Sequence, residues 1–143
     1  MREILFRGKR IDNGEWVEGS LIYLDEGCTY IVPMHPYASS LSVGDIVKLT
    51  MQAVIPESIG QYTGLKDKNG TKIFEGDICR NTKTGEIVSV CWLGTMGGYV
   101  WSRREENTKL STFGDLFRVF DKFEIIGNIH DNPELLKEVT NDR

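Results

Sequence analysis

At 143 residues, 40% hydrophobic and 27% charged, the chain can bury roughly two-thirds of its unfolded surface without disulfides or metals, and 15 glycines against 4 prolines predict many turns and few long helices. Seventeen basic against 21 acidic side chains give a net charge of -4, which repels a phosphate backbone and disfavours non-specific nucleic-acid binding. No stretch approaches the ~20 apolar residues of a bilayer span, no apolar signal-peptide run opens the chain, and Cys28, Cys79 and Cys91 lack zinc-knuckle or redox spacing. A cytoplasmic protein with free thiols, no cofactor and no membrane partner is expected.

In chain order, Ile4 to Phe6 leads into Arg7-Gly8-Lys9-Arg10, a basic run with Arg2 that reads as the solvated face of a strand. Asp12-Asn13-Gly14-Glu15 is a turn, and Trp16-Val17-Glu18-Gly19-Ser20-Leu21-Ile22-Tyr23 a second strand. Asp25-Glu26-Gly27 turns into Thr29-Tyr30-Ile31-Val32, β-branched and aromatic. The prolines at 33 and 36 then break the pattern into a loop holding His35.

Residues 42–50 echo residues 74–82, each a Gly-Asp turn opening into a strand. Two short copies do not make a repeat array. Between them, Asn69-Gly70 separates two short runs and predicts a type I′ hairpin, because Asn and Gly supply φ > 0 at least cost.

After Lys83-Thr84-Gly85-Glu86, Ile87-Val88-Ser89-Val90-Cys91-Trp92-Leu93 reads as a buried strand, joined through Gly94-Thr95-Met96-Gly97-Gly98 to Tyr99-Val100-Trp101-Ser102-Arg103. Leu116, Val119, Phe120 and Phe123 fall at helical spacing, although 123–129 could equally be a last strand. Asn132-Pro133-Glu134 offers an N-cap, proline at N1 and an acidic first turn, which predicts a short C-terminal helix. The class expected is all-β, with a small barrel or sandwich over 1–52 and a second domain over 53–143.

Candidate chemistry is sparse. His35 and His130 have no partner at metal-ligand spacing, so no metal site is expected. Asp67-Lys68-Asn69-Gly70 starts like a calcium loop but lacks the later carboxylate. Glu75 and Asp77 could share a strand face as an acid/base pair, yet no histidine, lysine or ligand accompanies them. No nucleophile elbow, Walker loop or dinucleotide fingerprint occurs, so no enzyme is expected and no catalytic residue is assigned.

The most promising surface is aromatic. Tyr99, Trp101 and Arg103 alternate onto one strand face, with Trp92 near them across the hairpin. Aromatics beside arginine suit a peptide groove or nucleobases. Alternatively Trp92 and one of Tyr99 and Trp101 belong to the core.

Three strings resemble the YopX family of bacteriophage and prophage proteins. The first is Leu5-Phe6-Arg7-Gly8-Lys9-Arg10 with Asn13-Gly14-Glu15-Trp16-Val17-Glu18-Gly19-Ser20-Leu21. The second is Ile55-Pro56-Glu57-Ser58-Ile59-Gly60-Gln61-Tyr62-Thr63-Gly64-Leu65-Lys66-Asp67-Lys68-Asn69-Gly70 with Ile73-Phe74-Glu75-Gly76-Asp77-Ile78, and the third runs from Glu124 to Leu136. The resemblance implies an SH3-like barrel in the C-terminal part, a phage or prophage origin and action in the host cytoplasm. It brings no catalytic residues. The expectation is a non-enzymatic module binding a host or phage protein. The alternatives are nucleic-acid binding through Trp92, Tyr99, Trp101, Arg103 and Arg104, and a structural homo-oligomer.

Overall fold

A computed structural model describes residues 2–34, 42–95, 97–104, 111–115 and 120–136, with side chains described outside 103–120. The described residues are mostly strand, in antiparallel sheets with only short helices, as the all-β class requires. The chain divides into two compact units, 1–62 and 63–143. The division falls after Tyr62 rather than near Gln52 because residues 52–62 bond into the first unit.

In that first unit β1 (Phe6–Lys9), β2 (Trp16–Asp25), β3 (Cys28–Pro33), β4 (Gln52–Ala53) and the start of β5 (Gly60–Lys66) are ordered β4-β3-β2-β1-β5. Ala53 and Gln52 pair with Tyr30 and Ile31 of β3. On the other side, Val54 bridges Arg10, the Ile11 N–H donates to the Ala53 carbonyl (3.0 Å) and the Ile55 N–H to that of Lys9 (2.8 Å). The segment 52–55 is therefore bonded along both edges.

A 3-10 turn, Pro56–Ser58, follows, with proline near its start where a missing N–H costs nothing. The Ser58 hydroxyl accepts from the Lys9 N–H (2.8 Å) and donates to the Ile55 carbonyl (2.6 Å). Leu5, Ile31, Val54 and Tyr62 are buried here, and the buried Thr29 hydroxyl donates to the Val54 carbonyl (2.9 Å).

Residues 42–50, expected to open into a strand, form instead the helix α1 (Val43–Thr50). The Ser42 side chain accepts from the Asp45 N–H (3.1 Å), and Asp45 lies in the first turn. That cap outweighs the β-branched content. The echo with 74–82 is thus not structural, since Asp77 opens a strand.

Past Tyr62, β5 continues into the second unit and pairs with β6 (Lys72–Phe74). Its hairpin is not the type I′ turn expected from Asn69-Gly70. The Gly70 N–H bonds the Asp67 carbonyl (3.0 Å) and the Asp67 N–H bonds the Thr71 carbonyl (2.8 Å), leaving a three-residue loop with Gly70 at φ +82°. The Asp67 carboxylate decides it: Oδ1 accepts from the N–H groups of Asn69 and Thr71, both at 2.9 Å.

The remaining strands β7 (Asp77–Asn81), β8 (Ile87–Leu93), β9 (Gly98–Arg104), β10 (Ser111–Asp115) and β11 (Phe123–Asn128) form a five-stranded sheet, β10-β9-β8-β7-β11. Phe120–Lys122 is a 3-10 turn leading into β11, so of the two readings near Phe123 the strand holds there. Ile73, Cys79, Val88, Val90 and Phe123 form the core, with Leu65, Tyr99, Trp101 and Ile125 packed on it. Residues 134–136 are helical, with the Leu135 N–H bonded to the Asn132 carbonyl (3.1 Å). His35, Met96, Leu116, Val119 and the rest of the expected C-terminal helix, from residue 137 on, lie outside the described residues.

One turn does occur twice. Arg10 and Glu15 close the β1–β2 hairpin through an N–H to carbonyl bond (2.8 Å), with Gly14 at φ +72° bonded back to Arg10. Asn81 and Glu86 close β7–β8 the same way (2.8 Å), with Gly85 at φ +77°. Asn13 Oδ1 accepts from the Glu15 N–H and Thr84 Oγ1 from the Glu86 N–H. The same hairpin closure is therefore used once in each unit.

Candidate functional site

Antiparallel pairing of β8 with β9 sets Trp92 opposite Tyr99 and Val90 opposite Trp101. Directly opposed residues share a face, and so do residues two apart. Val88, Val90, Trp92, Tyr99 and Trp101 therefore lie on one face, and the core covers it only in part. Val88 and Val90 are buried, Tyr99 and Trp101 lean on the core from its margin, and Trp92 at the end is 51% exposed. Its ring meets that of Tyr99 edge-on, centroids 5.0 Å apart and planes at 75°, an arrangement favoured by the ring quadrupoles. The opposite face buries Ile78 and Val100.

Arg103 and Arg104 stand at the far end of β9, opposite Thr112 and Ser111 of β10. Four strand residues, about 13 Å, separate Tyr99 from Arg103. The fold thus brings Trp92 and Tyr99 together, keeps Trp101 as the next pair inward, and places both arginines at the other end; their side chains lie outside the described residues.

A second aromatic cluster lies in the first unit. Trp16 is paired with Lys9, and the Arg7 guanidinium carbon lies 4.8 Å and the Lys9 Nζ 5.9 Å from its ring centroid. The signal in the sequence is the Arg7-Gly8-Lys9 alternation with Trp16 just beyond an Asn13-Gly14 turn, which only strand register joins. Arg10 instead pairs with Asp12 (2.7 Å).

Glu75 and Asp77 do not lie on one strand as expected. Glu75 lies in the turn between β6 and β7, while the buried Asp77 carboxylate accepts from the Phe74 N–H (2.7 Å). Glu75 acts on Cys91 instead: burial, and secondarily that carboxylate, push the half-buried thiol above its ordinary range. A thiol raised in the fold adds stability that is complete below its unfolded value and lost as pH rises through the folded one. In a Cys28→Ser variant, iodoacetamide labelling of Cys91 should have its pH midpoint above that of a free thiol, and Glu75→Gln should bring it down. A midpoint at or below the free-thiol value would contradict this environment. Among the described residues, no cluster of three or more His, Cys, Asp or Glu could hold a metal ion, and no helix is long and apolar enough to cross a membrane.

A family model described as YopX protein matches residues 5–137. The chain belongs to the YopX family. This YopX-family chain is also similar in fold to a solved structure, that of protein EF1440 from Enterococcus faecalis, with a TM-score of 0.56 and 24% identity over 95% of this chain and 99% of that one. No curated protein matches it. The family strings coincide with structural devices of the YopX chain: the Ser58 clasp on β1, the Asp67 turn, and the Asn128–Asn132 segment, where Asn128 Oδ1 accepts from the N–H groups of His130 and Asp131.

Proposed function

We propose that this YopX-family chain is a non-enzymatic, phage- or prophage-encoded module that acts in the bacterial cytoplasm by binding a host or phage protein through the Trp92–Tyr99–Trp101 face. The observation that carries the reading is the exposure of Trp92 at the end of a face whose other positions are packed on the core. A large aromatic anchored by a neighbouring ring, yet half open to water, is the kind of residue that dominates protein interfaces. The net charge of -4 weighs against a nucleic-acid partner.

The test compares wild type with Trp92→Ala, immobilised in lysate of a bacterial host. Loss of the Trp92–Tyr99 contact should cost about 1 kcal/mol of stability and leave the circular dichroism spectrum unchanged. A specific protein recovered by wild type should bind Trp92→Ala at least about 30-fold more weakly. Recovery that is the same with both proteins, or binding of DNA or RNA that is lost steeply with salt, would overturn the proposal.

A further inference from the structure

The chain contains two Asn-Gly steps, Asn13-Gly14 and Asn69-Gly70. Both fall in exposed hairpin turns, and in both the glycine has a positive φ, +72° at Gly14 and +82° at Gly70. We infer that the fold separates them: Asn69 is a site of spontaneous modification, converted through a cyclic imide to aspartate and isoaspartate, and Asn13 is held out of that reaction. The nucleophile is the nitrogen of the following residue, and a glycine there leaves the side-chain carbonyl open to it because it has no Cβ. The Gly70 nitrogen bonds to Cγ of Asn69 and gives up its proton; the Cγ–Nδ2 bond breaks, and Nδ2 leaves with that proton as ammonia. Water then opens the ring. Cleavage at Cγ gives aspartate, and cleavage at the main-chain carbonyl carbon gives isoaspartate, with nothing oxidised or reduced.

In each turn a hydrogen bond ties the nucleophile, Gly14 N–H to the Arg10 carbonyl and Gly70 N–H to the Asp67 carbonyl, both at 3.0 Å. The carboxamides differ. Asn13 Oδ1 accepts from the Glu15 N–H (2.9 Å) and its Nδ2 donates to Glu15 Oε2 (3.4 Å). The Asn69 carboxamide makes no hydrogen bond among the described residues; Asn69 is held through its own N–H, on Asp67 Oδ1. The bonds to that oxygen come from the N–H groups of Asn69 and Thr71, one peptide plane to either side of the plane that joins Asn69 to Gly70. That plane can turn over at the loss of the Gly70 N–H bond alone, with the change taken up by ψ of Asn69 and φ of the glycine. The products act on the turn that holds β11. Isoaspartate adds a methylene to the main chain inside the three-residue loop, and either product puts a second carboxylate in the same turn as Asp67, whose Oδ2 accepts from the Ile125 N–H (3.0 Å).

The test is incubation of the full chain at mildly alkaline pH, folded and in urea, with peptide mapping by mass spectrometry and enzymatic methylation of isoaspartate to place the products. The ratio of conversion at Asn69 to that at Asn13 should be about fivefold higher in the folded chain than in urea, the factor that a further hydrogen bond supplies. As isoaspartate accumulates at position 69, amide protection at Thr71 and Ile125 should fall. An Asn69→Gln chain incubated alongside should keep that protection, because the ring a glutamine would close is larger by a methylene and forms far more slowly. Equal ratios in the folded and unfolded chains, conversion of Asn13 ahead of Asn69 in the folded chain, or no product in the folded chain over a time that converts the unfolded one would each overturn the inference. Loss of Ile125 protection that is the same in Asn69→Gln would overturn its structural consequence.

Discussion

Gly19→Ala should cost about 3 kcal/mol or more, enough to unfold a large part of the first unit's population at room temperature. Gly19 lies in the middle of β2, paired with Phe6 of β1 on one side and Pro33 of β3 on the other. A methyl group there would stand 2.9 Å from the Pro33 Cα and 2.7 Å from the Val32 carbonyl carbon, with the carbonyl oxygen closer still. These are backbone atoms inside a sheet, so they cannot swing aside as the end of a flexible side chain would. The control is Gly14→Ala, where nothing lies within 4 Å but φ is +72°; its cost should be limited to the left-handed conformation, about 1–2 kcal/mol. Urea unfolding followed by tryptophan fluorescence reads both. A Gly19→Ala protein within 1 kcal/mol of wild type would show that the β2–β3 crossing is looser than this structure has it.

The second large effect is expected at Asp67. Its buried carboxylate has both oxygens committed: Oδ1 to the N–H groups of Asn69 and Thr71, and Oδ2 to the Ile125 N–H of β11 at 3.0 Å. The Lys68 N–H bonds the Phe123 carbonyl (3.0 Å) beside it. The β5–β6 turn thus supplies β11 with the bonds that a further strand would give, and covers part of an otherwise open edge. Asp67→Ala strands three donors and should cost about 3–5 kcal/mol, while Asp67→Asn, which keeps an acceptor but points an amide at one N–H, should cost about 1–3 kcal/mol. Amide exchange should identify the mechanism, with protection lost at Asn69, Thr71 and Ile125 ahead of the core strands. An Asp67→Ala protein as stable as wild type, with those amides still protected, would refute it.

Much of this architecture was legible in the residues, and the exceptions are instructive. The strands at 16–25, 28–33, 87–93 and 98–104 follow from β-branched and aromatic runs between glycine turns, because alternation and turn chemistry are local properties. The Asn13-Gly14 turn was readable for the same reason. The helix at 43–50 was read as a strand opening although Ser42 and Asp45 stood at N-cap spacing, since a Gly-Asp pair resembles a turn and α1 buries no residue that would have revealed it through periodicity. The Asn69-Gly70 turn was misassigned because its type is selected by Asp67, which is held from 58 positions away by Ile125. At the aromatic face, the pairing of Trp92 with Tyr99 followed from hairpin register, but the separation of Arg103 and Arg104 from them depends on where the hairpin begins and on β10 pairing at its far end.

The amino-acid sequence by itself determined the strand content, the family, the hairpins and the alternation that puts three aromatic residues on one face, all of which depend on contacts between near neighbours in the chain. Only the tertiary structure decided which of those aromatics is covered, that residues 52–62 complete the first unit, that a carboxylate in one turn holds the edge of the last strand, and that Glu75 acts on Cys91. Each of these is set by long-range register, and register depends on how faces bury and edges bond once distant segments meet.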